Sequence, residues 1–152
     1  MVALVRRWGL LGCLLFSLPL QAQTLTTTLG GEPHLLQLVA DPDSRRQGLM
    51  GRAELNPGEG MLFDFPAGTR PAIWMRNMQL ALDLLFVDDQ ARLVHVFPRV
   101  PPCASTPCDV YQADRPLRFV IEVPAGTAER LGLRVGDQLD LAGRESSPPP
   151  PY

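Results

Sequence analysis

The sequence contains no lysine, and its fourteen basic residues are all arginine. Because sixteen acidic residues outnumber them, the net charge is −2 at pH 7, which gives no overall attraction to nucleic acid or to an anionic membrane surface. Only two histidines occur, far apart in the chain, so no zinc site is indicated. A Gly-x-Ser-x-Gly nucleophile motif and a phosphate-binding glycine loop are also absent. The sequence therefore predicts no nucleic-acid partner and no cofactor. Without such a motif, it does not identify a reaction.

Long hydrophobic runs are scarce, and the longest stands at the N-terminus. Arg6 and Arg7 precede a thirteen-residue, mostly apolar stretch, and the small residue Ala22 follows shortly after it. This order is typical of a secretory signal peptide over residues 1–22, with cleavage after Ala22. The stretch is too short for a comfortable membrane span, so we expect no transmembrane anchor after cleavage. An uncleaved N-terminal anchor and a lipoprotein signal at Cys13 are the alternatives.

Cysteine is also rare, and its positions bear on the compartment. Cleavage would remove Cys13 and leave Cys103 and Cys108, which are flanked by Pro102 and Pro107. An even pair this close in sequence indicates a disulfide in an oxidising compartment. The alternatives are a metal site or a redox pair, although a redox pair usually has two residues between its cysteines rather than four. The leader and the cysteine pair together predict a periplasmic or secreted protein.

Proline and glycine are abundant, with sixteen and thirteen residues. They imply many turns and short elements, which favours a mainly β domain over a helical bundle. Apolar runs predict strands over 34–40, 61–65, 73–76, 84–87, 93–97, 119–123 and 137–141. The clearest hairpin joins 84–87 to 93–97 through a polar turn.

Helix signals are short and few. Asp41 as N-cap, Pro42 at the first helical position and Gly48 as a stop predict one short helix. A second helix of one or two turns is expected at 127–131, before a glycine. We therefore expect a small β-barrel or β-sandwich with one or two short helices. Residues 24–143 would form this single β-rich domain, and the proline-rich residues 144–152 a disordered tail.

Several side chains are candidates for chemistry. Asp83 lies in an apolar run, so it is expected to be partly buried and to need a partner such as Arg52 or Arg76; a binding-site carboxylate is the other reading. Trp74 stands beside Arg76 and Asn77 near a turn, where such groups bind a sugar ring or a peptide, although a lone tryptophan is also common in cores.

Four methionines lie within 29 residues, on segments that could converge: Met50, Met61, Met75 and Met78. Thioethers in an oxidising compartment can bind Cu(I). The same residues stand in apolar runs without a neighbouring histidine or cysteine, which favours a role as core-filling side chains.

Several motifs follow one another in a fixed order along the chain. They are Gly48-Leu49-Met50-Gly51-Arg52, Gly60-Met61-Leu62-Phe63-Asp64-Phe65, Trp74-Met75-Arg76-Asn77, Leu82-Asp83-Leu84-Leu85-Phe86 and Val120-Ile121-Glu122-Val123-Pro124-Ala125-Gly126. Over about residues 35–142 they resemble the family called domain of unknown function 192. Met78 stands where that family usually has threonine.

The resemblance implies a compact β-barrel or sandwich with short helices, often exported or membrane-anchored, and no established activity. Within this resemblance, the loop with Cys103 and Cys108 looks like a variant found in exported members of the family. Carried over position by position, it points to a shared site formed by Arg52, Trp74, Arg76, Asn77 and Asp83.

Three hypotheses result. The first is a periplasmic binding or accessory module whose ligand, a small molecule, glycan or peptide of the cell envelope, lies near the Gly-Leu-Met-x-Arg and Trp-Met-x-Asn segments. The second is an enzyme acting on envelope polymers or peptides, with Asp83 or Asp64 as its acid or base. The third is Cu(I) handling through the methionines.

Overall fold

The computed structural model describes residues 23–152. The predicted signal peptide, with Cys13, lies outside the described residues. No helix within residues 23–152 is both long and apolar enough to cross a membrane.

The described residues form eight strands, two α-helices and one 3-10 helix. The strands are β1 (Thr24–Leu29), β2 (Glu32–Val39), β3 (Glu59–Asp64), β4 (Ala72–Trp74), β5 (Leu82–Val87), β6 (Leu93–Val100), β7 (Val110–Gln112) and β8 (Phe119–Pro124). The helices are α1 (Pro42–Gln47), α2 (Thr127–Arg130) and the 3-10 helix Arg144–Ser146. The predicted mainly β class with two short helices is confirmed.

Six strands form one sheet in the order β1-β2-β3-β8-β5-β6, and β4 pairs with β7 in a small second sheet. All pairings are antiparallel except that of β2 with β3. The predicted hairpin is the β5–β6 pair, in which Leu85 faces Val96. The large sheet is not closed into a barrel, because β1 and β6 remain its edges.

The predicted last strand over 137–141 is wrong as a strand. It makes isolated bridges from Asp140 to Thr28 and from Gln138 to Arg92. The segment runs between the turn before β6 and strand β1, which lie at opposite edges of the large sheet. It therefore forms a single bridge at each end instead of a ladder. Its alternating pattern reflects burial of Leu139 and Leu141 against the core rather than a ladder.

The core has two halves, one on each face of the large sheet. In β8, Phe119, Ile121 and Val123 point to the first half, while Val120 points to the second. Strands β3, β5 and β8 lie at the centre of the sheet and are buried on both faces. This position explains why their sequences are continuous apolar runs rather than alternating ones.

Helix α1 begins as predicted. The Asp41 carboxylate accepts hydrogen bonds from the backbone N–H groups of Asp43 and Ser44 at 3.1 and 2.9 Å. Pro42 occupies the first turn, and the N–H of Gly48 bonds the carbonyl of Ser44 at the C-terminal end. The helix therefore ends where the Gly48-Leu49-Met50 motif begins.

The predicted disulfide between Cys103 and Cys108 is present in the structure. It closes a loop between β6 and β7, and β7 is a strand of the small sheet.

The proline-rich segment 144–152, expected to be a disordered tail, makes defined contacts in the structure. The Arg118 guanidinium donates to the backbone carbonyl of Ser147 at 2.8 Å and to that of Pro148 at 3.2 Å. The same guanidinium binds the Asp64 carboxylate. A guanidinium carries five N–H donors, so one arginine can hold both groups.

Candidate functional site

A cleft of about 270 Å³ opens on the second face of the sheet. One wall is α1 with the Gly48-Leu49-Met50 loop, and the other is strand β4 with Trp74. Most of the lining is apolar or aromatic, and comprises Leu49, Met50, Phe63, Phe65, Ala72, Ile73, Trp74 and Met78. Trp74 is 44% exposed, so it is a rim residue rather than a core tryptophan.

Glu122 provides a carboxyl group within this apolar lining. It faces Met61 of β3 and Leu84 of β5 across the sheet, so its side chain lies on the same face as theirs. Only 5% of the residue is exposed, and its Oε2 has no hydrogen-bond partner among residues 23–152. Burial raises the pKa of Glu122 to about 8. At pH 7 the group is therefore mostly a neutral acid, which can both donate and accept a hydrogen bond.

Gly60 explains why the chain can pack so closely here. A Cβ atom at this position would lie 2.5 Å from the backbone oxygen of Glu122 and 2.8 Å from the Leu36 side chain. Only glycine lets β3 lie against β8 at this point without displacing backbone. Gly60 of the Gly-Met-Leu-Phe motif thus sets the strand spacing beneath the cleft.

Arginines stand at the mouth of the cleft. Arg45 donates to the backbone carbonyls of Ala40 and Asp64 and lies over the Phe65 ring, 5.4 Å from its centroid. Burial lowers the pKa of Arg45, although its guanidinium remains charged. Arg46 forms an exposed ion pair with Asp43 at 3.0 Å.

A shallow depression continues from the mouth, and Arg46, Gln47, Met50 and Trp74 line both. Asp43, Arg76 and Asn77 complete it. The structure therefore brings together three of the five predicted site residues, Trp74, Arg76 and Asn77.

Two contacts order the Trp74–Asn77 turn. The Arg76 guanidinium lies 5.7 Å from the centroid of the Trp74 ring system, within the range of a cation–π contact. The backbone carbonyl of Asn77 accepts from the N–H of Gly51 at 3.3 Å, which links this turn to the Gly-Leu-Met loop.

The other two predicted site residues lie elsewhere. Arg52 is exposed and donates to the side chain of Gln37 at 2.8 Å. Asp83 is fully buried and accepts from backbone N–H groups of Arg99, Gly126 and Ala128. The expected pairing of Asp83 with Arg52 or Arg76 is therefore wrong, because amide donors already satisfy the carboxylate.

Asp64 is also unavailable as an acid or base. It is fully buried, and its carboxylate bonds Arg118 Nε at 2.9 Å and Arg144 Nε at 2.8 Å. Neither carboxylate named in the enzyme hypothesis lines the cleft.

The four methionines divide between two environments. Met61 and Met75 are buried in the second half of the core, whereas Met50 and Met78 line the cleft. No cluster of three or more histidine, cysteine, aspartate or glutamate side chains suited to a metal occurs within residues 23–152.

The model of the family described as "DUF192: Uncharacterized ACR" matches residues 25–141. The chain belongs to the DUF192 family. None of the curated proteins compared with it matches.

Two solved structures are similar to this DUF192 chain. One is a Sinorhizobium meliloti 1021 protein, provisionally described as a transcription regulator. It is 34% identical, with 81% of this chain and 98% of that chain covered and a TM-score of 0.69. The other, from Novosphingobium aromaticivorans DSM 12444, is described as a protein of unknown function. It is 29% identical, with 78% of this chain and 84% of that chain covered and a TM-score of 0.67.

Sequence reasoning missed Glu122 as a site residue. The available signal was a single acidic residue inside the apolar run Phe119–Val123, where an unpaired carboxyl is costly. That run alone does not tell to which face of the sheet the Glu122 side chain points, because β8 is buried on both faces and its sequence shows no alternation.

Proposed function

We propose that this DUF192 protein is an exported binding module. Its cleft would hold a small, largely apolar ligand between Met50 and Trp74, hydrogen-bonded to Glu122. The observation that carries the proposal is the buried Glu122 carboxyl in a cleft bounded by the Gly-Leu-Met and Trp-Met motifs. Its Oε2 has no hydrogen-bond partner in the part of the chain that the structure describes.

Burying a polar group without a partner costs roughly 1–3 kcal/mol in proteins. A ligand that supplies the missing hydrogen bond recovers part of that cost. Ligand sites have this composition, with an apolar lining and a few polar groups that orient the ligand. The volume is near the lower end of such sites, so it suits a single ring or side chain.

An enzyme remains the second candidate, because a carboxyl of raised pKa in a cleft can act as a general acid. Glu122 would then take the role first assigned to Asp83 or Asp64. Binding is favoured because, of residues 23–152, the others lining the cleft include no histidine, cysteine, serine, aspartate or second glutamate. Cu(I) handling, the third hypothesis, would rest on Met50 and Met78.

p-Cresol tests the binding proposal, because it combines a neutral ring with one hydroxyl group. Titration of ¹⁵N-labelled mature protein should shift the amides of Gly48–Met50 and the indole N–H of Trp74. Trp8 is absent from the mature chain, so the Trp74 indole N–H has no competing signal. Trp74→Ala should weaken binding about tenfold or more. Shifts scattered over the surface, or none at these positions, would refute a ligand site here.

Export is the other part of the proposal. It is supported by the N-terminal order of charge, apolar stretch and small residue, and by a cysteine pair bonded in the structure. N-terminal sequencing of protein recovered from the periplasm should begin at Gln23. An intact N-terminus in the cytoplasmic fraction would refute export.

A nucleic-acid role is not proposed. The description as a transcription regulator belongs to the Sinorhizobium protein. The net charge of −2 on this chain provides no electrostatic basis for binding nucleic acid.

A further inference from the structure

Positive charges outnumber negative ones around the cleft. Three arginines, Arg45, Arg46 and Arg76, line the cleft or its adjoining depression, against one carboxylate, Asp43. Glu122 adds no charge while it is protonated. The entrance is therefore positive on a protein whose overall charge is negative.

Two of these arginines stand where a ligand's outer end would lie. Arg46 and Arg76 both line the depression that contains Trp74. Arg76 forms no ion pair within residues 23–152, and the Arg46–Asp43 pair is exposed on both sides. An exposed pair of this kind is weak, so an incoming anion can compete for its guanidinium.

The interior imposes the opposite requirement. Beyond the mouth the lining is apolar and aromatic, with the Glu122 carboxyl as its acidic group. A carboxylate placed beside the buried Glu122 would lose its hydration among apolar side chains, whereas Arg46 and Arg76 are exposed to solvent. A ligand that satisfies both regions is anionic at one end and apolar over its body.

We propose that the cleft selects small apolar acids, with a ring-sized body between Met50 and Trp74 and the carboxylate at Arg46 and Arg76. This proposal rests on the proposed binding function and specifies its ligand class. A hydroxyl or other neutral polar atom at the far end of the ring would meet Glu122. A free aromatic acid and the C-terminal residue of a peptide both present this chemistry.

Three ligands that share the p-cresol body test the charge requirement. They are p-cresol itself, 3-(4-hydroxyphenyl)propionate, which adds a carboxylate, and tyramine, which adds an ammonium group. Kd values are measured by NMR titration at low salt and at 0.5 M salt. We expect the acid to bind about three- to tenfold tighter than p-cresol and tyramine to bind more weakly than p-cresol. The advantage of the acid should shrink at high salt.

The double variant Arg46→Gln/Arg76→Gln should remove the preference for the acid over p-cresol. Arg134→Gln is the matched control, since Arg134 is exposed and lines neither the cleft nor the depression. It changes the net charge but should preserve the preference. Retention of the full preference in the double variant would overturn the proposal.

The outcomes separate the two proposals. If p-cresol binds in the cleft and the acid gains nothing, or tyramine binds tightest, the ligand class is wrong and the binding function stands. If none of the three shifts the cleft resonances, the binding function itself is overturned. If the acid binds tightest, Gly-Gly-Tyr and its C-terminal amide distinguish a free aromatic acid from a peptide C-terminus as the ligand. Binding of Gly-Gly-Tyr but not of its amide identifies a peptide C-terminus. Binding of the small acid without binding of Gly-Gly-Tyr identifies a free acid.

Discussion

The Asp83 carboxylate accepts the backbone N–H of Ala128 at 2.8 Å, which ties strand β5 to the first turn of helix α2. Its other oxygen accepts the N–H groups of Arg99 and Gly126 at 2.7 and 3.0 Å. Three segments of the chain thus meet at one buried side chain. The aspartate in an apolar run serves as an acceptor for amides that would otherwise be unpaired.

Asp83→Ala should strongly destabilise the fold. The substitution leaves three backbone donors without their acceptor, and each buried unsatisfied group costs about 1–3 kcal/mol. We expect a loss of at least about 3 kcal/mol in the free energy of unfolding, measured by urea denaturation. Asp88→Asn is the control, because Asp88 accepts two amides in a solvent-accessible turn and should cost about 1 kcal/mol or less. Equal losses in the two variants would contradict this role of Asp83.

The buried pair of Asp64 and Arg118 gives a second prediction. Arg118→Met removes one partner of a fully buried carboxylate and should cost about 3–5 kcal/mol. It should also release residues 147–152 from the surface, because Arg118 holds the backbone carbonyls of Ser147 and Pro148. The amide resonances of Ser147 and Tyr152 should then shift and sharpen in ¹⁵N NMR spectra. Arg130→Met breaks the exposed pair with Glu32 and should cost less than about 1 kcal/mol. Unchanged amide resonances of Ser147 and Tyr152 in Arg118→Met would show that other contacts hold the tail.

The stability of the protein should fall as the pH rises from about 4.5 to about 8. The pKa of Glu122 is raised to about 8 in the folded state by burial, against 4.5 as its ordinary value. Between these values the folded protein keeps a proton that the unfolded chain has lost. Unfolding then releases this proton, and higher pH favours unfolding by up to about 1.4 kcal/mol per pH unit.

Glu122→Gln isolates this contribution, because the amide resembles the neutral acid at every pH. The variant should match the parent near pH 4.5 and exceed it by a few kcal/mol at pH 8, in urea denaturation series. Glu54→Gln, at an exposed position, should leave the pH profile of the parent unchanged. Parallel profiles for the parent and Glu122→Gln would show that Glu122 is ionised in the folded protein.

The Cys103–Cys108 bond should contribute about 2 kcal/mol to stability, as expected for a closed loop of this length in the chain-entropy model. Cys103→Ser/Cys108→Ser should lower the free energy of unfolding by about this amount. A thiol assay on denatured mature protein should detect no free cysteine. Two titratable thiols would contradict the bond and weaken the case for an oxidising compartment.

Local patterns in the sequence were enough for much of the fold. The cap and stop residues of α1 act through hydrogen bonds within a few residues, so Asp41 and Gly48 set its ends directly. The β5–β6 hairpin follows from two apolar runs around a short polar turn. The cysteine pair and the ordered family motifs were equally readable, because they need no knowledge of which segments meet in space.

The tertiary structure alone decided how the acidic residues divide their roles. Asp64, Asp83 and Glu122 all stand in apolar runs and are all buried, although the sequence predicted burial and a partner for Asp83 alone. Their partners depend on sheet order. Asp64 meets Arg118 because β3 pairs with β8, and Asp83 meets the N–H groups at the start of α2 because β5 pairs with β8. Glu122, on the same β8, faces the cleft, and its Oε2 has no hydrogen-bond partner among residues 23–152. Such long-range pairings are fixed by packing of the whole sheet, which no local pattern encodes.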